Sequence, residues 1–193
     1  LSECDVVGGP LRYRFGKYGL FSPTTIRYLF FNAQYKKYFG ELTNFNVVEI
    51  GGGFGGQAAV SLTLDPTISW TIFDLPRVLA LQEKYLSAVN LGGRVRFESG
   101  LDISKTQGDL LISNYALSEI SRELQLTYLD LVVSNCQRGF MAWNTISEKV
   151  NGGLTLPEVL GMIPGSNYVD EVPKSSPGNV IIYWGQADVG LIP

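Results

Sequence analysis

The sequence predicts an α/β sandwich, in which the strands of a mostly parallel sheet alternate with helices. From Asn46 onward, short β-branched and apolar runs alternate with segments of helical periodicity. The run 109–113 is almost wholly apolar, which is typical of a strand buried on both faces of a parallel sheet. Near the end of the chain, Pro177-Gly178 separates two further runs, which indicates an antiparallel hairpin.

The composition narrows the classes of function. Fifteen Lys and Arg against eighteen Asp and Glu give a net charge of −3, so we expect neither a nucleic-acid nor a membrane partner. The sequence has no apolar run of about 20 residues and no signal-peptide pattern, and we expect a cytoplasmic protein. It contains no histidine, the commonest general base and metal ligand, so we expect no metal site. Catalysis would therefore depend on carboxylates, amides, hydroxyls, Lys, Arg or a cofactor.

Residues 1–45 are interpreted as a helical N-terminal lid or substrate segment. Ser22 followed by Pro23 is typical of a helix start, and Gly40 of a helix end, so a helix is predicted over 23–39. The residues expected on its packing face are Ile26, Leu29, Phe30 and Ala33. This helix is either simply docked on the core or a lid over an active site. The exposed apolar character of the segment also favours a homodimer contact.

The elements after residue 45 follow in order from pattern and turn residues. Strands are predicted from β-branched or apolar runs at 47–50, 68–73, 94–98, 109–113 and 139–143. Helices are predicted at 58–64, 76–89, 119–133 and 156–162, where the spacing of apolar residues is helical. The closing hairpin is predicted to pair 167–172 with 180–184.

A glycine-rich loop follows the first predicted strand of the sheet. Gly51, Gly53 and Gly56 form a G-x-G-x-x-G pattern, in which glycines permit a sharp turn and a close approach of ligand to backbone. Asp74 ends the next strand, about 20 residues further on, where a carboxylate can accept both hydroxyls of a ribose. Both NAD and S-adenosylmethionine carry a ribose, and the spacing does not separate them. A purely structural glycine turn is the other alternative.

Other features favour S-adenosylmethionine. Glu49, just before the glycines, suits a cofactor end with an amine and a sulfonium, whereas it would repel a pyrophosphate. The chain closes in a hairpin rather than another parallel crossover. It also has no room for a separate substrate domain and no histidine to assist hydride transfer.

Two motifs carry a resemblance to a known family. Residues 48–56 resemble motif I of class I S-adenosylmethionine-dependent methyltransferases, and 73–76 (Phe-Asp-Leu-Pro) resemble a turn of small-molecule O-methyltransferases. Within that superfamily, segments 74–79, 111–119 and 139–144 are most similar to a bacterial family of proposed sugar O-methyltransferases. The resemblance implies a Rossmann-like sandwich over 46–193, with a seven-stranded mostly parallel sheet and a C-terminal antiparallel hairpin. It also implies methyl transfer from S-adenosylmethionine to a hydroxyl of a small molecule, a sugar or sugar conjugate.

The resemblance further implies which residues contact the cofactor. The methionine end would be lined by Glu49, Gly51, Gly53 and Gly55, with Gly52 and Phe54 beside them. Asp74 would hold the ribose hydroxyls and Leu75 would pack on the adenine. Asp102, which follows Leu101 after the third strand, would reach the adenine amine. Ser113, Asn114 and Tyr115 would lie beside the transferable methyl group. The sequence departs from related enzymes that use a histidine base.

Three residues are candidates for the acceptor side. Glu119 is proposed as the general base, since a sugar hydroxyl is a weak acid; its alternative is a helix-terminal acid capped by Ser118. Tyr115 would stack on a sugar or donate to it, and is otherwise a core residue. Asn144 would bind the acceptor, and is otherwise a turn residue.

Two other functions remain open from the sequence. One is an NAD(P)-dependent oxidoreductase that uses the same glycine loop. The other is a catalytically silent methyltransferase-fold interaction module. Glu49→Lys is expected to separate the first of these from the methyltransferase, because it would oppose a cationic cofactor and not a pyrophosphate.

Overall fold

The computed structural model describes residues 3–186. Its strands are β1 (Tyr13–Arg14), β2 (Leu20–Phe21), β3 (Asn46–Ile50), β4 (Ser69–Asp74), β5 (Val95–Ser99), β6 (Gly108–Asn114), β7 (Cys136–Trp143), β8 (Asn167–Asp170) and β9 (Val180–Trp184). Its α-helices are α1 (Pro23–Phe39), α2 (Gly56–Leu64), α3 (Pro76–Ala88), α4 (Ala116–Glu119), α5 (Arg122–Leu131), α6 (Ile146–Asn151) and α7 (Leu156–Met162). Short 3₁₀ turns cover Glu3–Asp5, Gly16–Tyr18, Gly92–Arg94 and Val133–Asn135.

Seven of the strands form one sheet, in the order β5-β4-β3-β6-β7-β9-β8. The first five in that order are parallel, and β9 is antiparallel to both of its neighbours. This confirms the predicted α/β class, the mostly parallel seven-stranded sheet and the closing hairpin.

The parallel strands end together, at what we call the carboxyl edge of the sheet. Parallel α/β sheets bind their ligands at this edge. Val180 of β9 pairs with Trp143 at the end of β7. The segment 171–179, which joins β8 to β9, therefore lies at the carboxyl edge as well.

The sheet is buried on both faces. Adjacent residues of a strand point to opposite faces, so Val47 and Leu110 join one core cluster while Val48 and Leu111 join the other. The first cluster is completed by α1, α2 and α3, and the second by α4, α5, α7 and β9. This packing explains why the predicted strands contain continuous apolar runs.

The packing face predicted for α1 was wrong. The helix spans the predicted residues, and the Ser22 hydroxyl caps it by accepting from the Thr25 amide. It buries Phe31, Tyr35 and Phe39, however, while Ala33 of the predicted face is exposed. Aromatic residues of this helix occur on more than one of its sides, so the periodicity of apolar residues did not identify the face that packs on the core.

The predicted helix 119–133 was also wrong in its bounds. It is divided into α4 and α5 by Ile120 and Ser121, which have extended backbone conformations. Ser118 does not cap a helix beginning at Glu119: its hydroxyl donates to the Tyr115 carbonyl inside α4. Elsewhere β7 begins three residues earlier than predicted and α2 two residues earlier, while β1, β2 and α6 were not predicted.

Within residues 3–186, no helix has both the length and the apolar character needed to cross a membrane. Both cysteines, Cys4 and Cys136, are buried free thiols.

Candidate active site

The glycine loop turns sharply between β3 and α2. Gly51, Gly53 and Gly55 have positive φ angles of 76°, 56° and 94°, a region that residues with a Cβ rarely adopt. A Cβ at Gly51 would overlap the Ala116 side chain of α4, whereas one at Gly53 would meet no atom within 4 Å. The loop is therefore packed at its base and open on the side of Gly53, where a ligand could approach the backbone.

Asp74, at the end of β4, is bonded to this loop. Its Oδ2 accepts from the Gly52 amide at 3.0 Å and from Gln82 Nε2 at 2.8 Å, while Oδ1 accepts from the Leu75 amide at 2.8 Å. The buried Gln82 also donates to the Gly53 carbonyl at 2.9 Å. Gln82 thus clamps the acid and the loop together. The sequence analysis did not identify it, because it lies inside α3 without a motif.

Exposed apolar side chains surround Asp74 on the carboxyl edge. Leu75 is 53% exposed, Leu101 69% and Phe54 37%, and Asp102 beside them is exposed too. The amide of Gly100 donates to the Asp74 carbonyl at 2.8 Å, which holds the 100–102 turn next to the acid. A carboxylate flanked by exposed leucines and an open glycine loop fits a nucleoside whose base packs on apolar side chains while its ribose meets the acid. The residues present therefore fit S-adenosylmethionine.

Glu49 lies beneath the glycine loop and is only 1% exposed. Its Oε2 accepts from Trp70 Nε1 at 2.9 Å, and a Cβ at Gly52 would lie 3.3 Å from the same oxygen. Burial raises the pKa of Glu49 to about 8, partly offset by the Trp70 bond and reinforced by the Asp74 charge. A lysine at this buried position would lose the Trp70 bond and bury an unpaired charge, so Glu49→Gln is a better probe than Glu49→Lys.

Ser113 and Asn114 end β6 and are tied into the protein. The buried Ser113 hydroxyl donates to the Ile50 carbonyl at 3.1 Å and accepts from the Leu117 amide at 3.0 Å. Asn114 Nδ2 donates to the hydroxyl of buried Tyr35 at 3.2 Å. The Ser113 side chain thus joins β3, β6 and α4, and the Asn114 side chain connects the carboxyl edge to α1.

The structure brings Glu119 and Asn144 together, although 25 residues separate them. Asn144 Nδ2 donates to Glu119 Oε1 at 2.8 Å, and Asn144 Oδ1 accepts from the Ile146 amide at 3.0 Å. Asn144 is buried, while Glu119 is exposed. Both lie at the carboxyl edge, where an acceptor would be bound, and their roles in catalysis stay predictions.

Tyr115 is part of a polar cluster that the sequence analysis did not identify. Its backbone is in the left-handed region (φ 76°), and its hydroxyl donates to the carboxylate of Glu171. The same hydroxyl lies 3.0 Å from Ser175 Oγ, and the Arg27 guanidinium lies 5.2 Å from the Tyr115 ring centre. Glu171 and Ser175 belong to the 171–179 segment and are far from Tyr115 in sequence, so no local pattern could have related them.

Comparisons with known proteins assign the chain to a family. Residues 33–139, more than half of the chain, match the model of the O-methyltransferase domain family. The chain belongs to that family. Membership confirms the expected cofactor, S-adenosylmethionine. It does not distinguish a sugar from other acceptors.

Solved structures show the same fold as this O-methyltransferase domain. The mitomycin 7-O-methyltransferase MmcR has a TM-score of 0.61 at 15% identity, over 86% of this chain and 55% of that one. PigF with SAH has a TM-score of 0.58 at 17% identity, covering 80% and 54% of the two chains. RosA from Streptomyces davawensis, an N,N-8-amino-8-demethyl-D-riboflavin dimethyltransferase, has 0.56 at 19% identity, covering 82% and 54%.

The O-methyltransferase domain thus spans about half the length of these three structures. No curated protein matches the sequence.

Proposed function

We propose that this chain transfers a methyl group from S-adenosylmethionine to a hydroxyl of a small-molecule acceptor. The observation that carries the proposal is the bond between Asp74 and the Gly52 amide, beside the exposed Leu75 and Leu101. In the proposed site, an acid for the ribose, an apolar surface for adenine and an open glycine loop would lie together at one edge of the sheet. The cofactor would supply an electrophilic methyl group, and the protein would align the acceptor and remove its proton.

The cofactor contacts are proposed residue by residue. The glycine loop (Gly51, Gly52, Gly53, Gly55) and Phe54 would border the methionine end, with the carboxyl of Glu49 buried below it. Asp74 would hold the ribose. Leu75, Leu101 and Asp102 would surround the adenine, and Asn114 would approach from the end of β6.

A carbohydrate is the acceptor we propose. Its support is the sequence resemblance at 111–119 and 139–144, segments that here form the end of β6, α4 and the end of β7 at the carboxyl edge. Asn144 and Tyr115 offer the amide and hydroxyl groups that sugar hydroxyls bind. Two of the structural neighbours named above, MmcR and RosA, act on chemically different acceptors according to their names, so the acceptor is identified by direct measurement.

Calorimetric titration with S-adenosylhomocysteine, NAD and NADP tests the cofactor. We expect binding of the first alone, and its loss in Asp74→Ala. Asp130→Ala, which removes an exposed carboxylate of α5, is the matched control and should bind normally. Thermal unfolding of both variants separates lost contacts from a lost fold, because Asp74 also anchors the loop. Binding of NAD or NADP instead would contradict the proposal.

A screen of acceptors completes the test. The purified chain is incubated with methyl-labelled S-adenosylmethionine and methyl glycosides, nucleotide-linked sugars or phenols. We expect label in a sugar. Transfer only to phenols would retain the methyltransferase and exclude the carbohydrate. Cofactor binding without any transfer would favour the silent interaction module.

A further inference from the structure

We propose that Tyr115 and Glu171 form a proton relay, in which the acceptor hydroxyl gives its proton to Tyr115 Oη and Tyr115 gives its own to Glu171. The inference rests on the proposed function and deepens it, because it names the groups that take the proton. The relay would provide a base in a sequence that contains no histidine.

The location of Tyr115 and Glu171 in the sheet supports the relay. Tyr115 directly follows β6, and Glu171 directly follows β8 in the segment that crosses the carboxyl edge. Both groups therefore lie at the edge that holds the glycine loop. A cavity of about 420 Å³ adjoins Glu171, and its lining includes Ser175 and Arg27, whose guanidinium lies over the Tyr115 ring. This volume is within the range of small-molecule sites, roughly 300–1,000 Å³.

Hydrogen bonds fix the orientation of the Glu171 carboxylate. Glu171 is 5% exposed, and its Oε2 accepts from the Ser175 amide at 2.9 Å and from Ser175 Oγ at 2.7 Å. Its Oε1 accepts from Tyr115. A buried carboxylate fixed by hydrogen bonds is oriented before the reaction, as a catalytic group must be. The carboxylate of Glu119, by contrast, is exposed, and the hydrogen bond described for it comes from the side chain of Asn144.

The hydroxyl of Ser175 lies close to both members of the pair. It lies 3.0 Å from Tyr115 Oη while it also contacts Glu171, so the phenol oxygen is within reach of a hydroxyl besides its bond to the carboxylate. An acceptor hydroxyl within hydrogen-bond distance of Tyr115 Oη would have a proton path of two hydrogen bonds to Glu171. Arg27, over the ring of Tyr115, holds the ring in place.

Atoms and charges balance in the proposed methyl transfer. The acceptor oxygen bonds to the methyl carbon and displaces the sulfur, which keeps the electron pair of the broken bond. The hydroxyl proton passes to Tyr115 Oη while the phenol proton passes to Glu171. The products are a methyl ether, a neutral thioether and a protonated Glu171, which returns its proton to solvent before the next cycle.

The test uses Glu171→Gln and Tyr115→Phe, each of which changes one group with little change in shape. With the best acceptor of the screen above, we expect kcat to fall by about 10²-fold or more in each, as for other lost acid–base groups. The double variant should be little slower than either single one, because groups that act as a unit are not additive. Asp170→Asn, an exposed neighbour of Glu171, is the matched control and should keep its rate.

Two further readouts do not depend on activity. S-adenosylhomocysteine affinity and the unfolding temperature should stay close to wild type in Tyr115→Phe. ¹³Cζ-tyrosine NMR, with Tyr115 assigned by the Phe variant, should show Tyr115 ionising at lower pH in Glu171→Gln, because the carboxylate no longer opposes loss of the phenol proton.

The outcomes are distinct. A wild-type rate within twofold in Glu171→Gln or Tyr115→Phe overturns the relay and leaves the proposed function intact. A large loss in Glu119→Gln with none in Glu171→Gln overturns it in favour of Glu119 as the base. A wild-type protein that binds no S-adenosylhomocysteine, or methylates no acceptor, overturns the proposed function and the relay together.

Discussion

Gln82 Nε2 lies 2.8 Å from Asp74 Oδ2 and also donates to the Gly53 carbonyl, so one buried amide joins the Asp74 carboxylate to the glycine loop. Gly53 and Asp74, which are 21 residues apart in the sequence, are therefore joined through one side chain. Their positions relative to each other depend on a third residue in α3.

Gln82→Leu is expected to weaken S-adenosylhomocysteine binding about tenfold or more. The variant removes a bond to a charged group, which contributes about 1.5–3 kcal/mol, and frees the loop. Calorimetry measures the affinity. Gln125→Leu is the matched control, because Gln125 is also buried and bonds to the backbone of Leu117 and Leu154. It should lose stability and keep its affinity, and equal effects on affinity would contradict the clamp.

Gly51→Ala is expected to destabilise the protein by at least about 2 kcal/mol more than Gly53→Ala. Both positions have positive φ, which costs a residue with a Cβ about 1–2 kcal/mol. Only the Cβ at position 51 would also overlap Ala116. Chemical denaturation of the two variants measures the difference. Equal losses would mean that α4 does not pack on the loop as described.

Glu49→Gln is expected to remove a pH dependence of stability. A folded-state pKa of about 8 means that the folded protein holds this proton more tightly than the unfolded chain. Stability from Glu49 is therefore complete below about pH 4, the unfolded pKa, and is lost as the pH rises towards 8. Unfolding measured between pH 5 and 9 should show the variant more stable than wild type at the alkaline end. A constant difference across this range would contradict the assignment.

The same carboxyl should affect cofactor binding. A cationic ligand above it favours the ionised form, so wild-type affinity for S-adenosylmethionine should rise between pH 6 and 9. Calorimetry in buffers of different ionisation enthalpy should detect the released proton. Glu49→Gln should show neither effect, and S-adenosylhomocysteine, which lacks the sulfonium, should show a smaller one.

Gly139→Ala is expected to lower stability by about 1–3 kcal/mol or more, because a Cβ there would overlap the Trp184 ring. Gly139 on β7 pairs with Trp184 on β9, so this contact joins the hairpin to the parallel part of the sheet. Gly161→Ala, at a site with no atom within 4 Å of the added Cβ, is the control and should cost little. Denaturant midpoints compare the two. A similar midpoint for both would contradict the packing.

The sequence by itself determined the fold class, the seven strands of the large sheet and the glycine turn with its nearby acid. These features are local: a strand, a glycine turn and an acid at the end of the next strand occupy short segments whose backbone conformations depend on neighbouring residues. The turn at Gly51 and Gly53 and the position of Asp74 at the end of β4 could therefore be predicted. The motif around Glu49 was visible too, but its burial was not, because that depends on packing by the helices that cover the sheet.

Tertiary structure alone decided the polar cluster around Tyr115. Tyr115 and Glu171 are 56 residues apart in the sequence. They meet because antiparallel β9 begins beside the end of β7, so that the preceding segment 171–179 lies at the carboxyl edge. The Gln82 clamp and the buried face of α1 were settled in the same way. Contacts between distant segments have no periodicity or spacing in the sequence, because they depend on how the layers pack against one another.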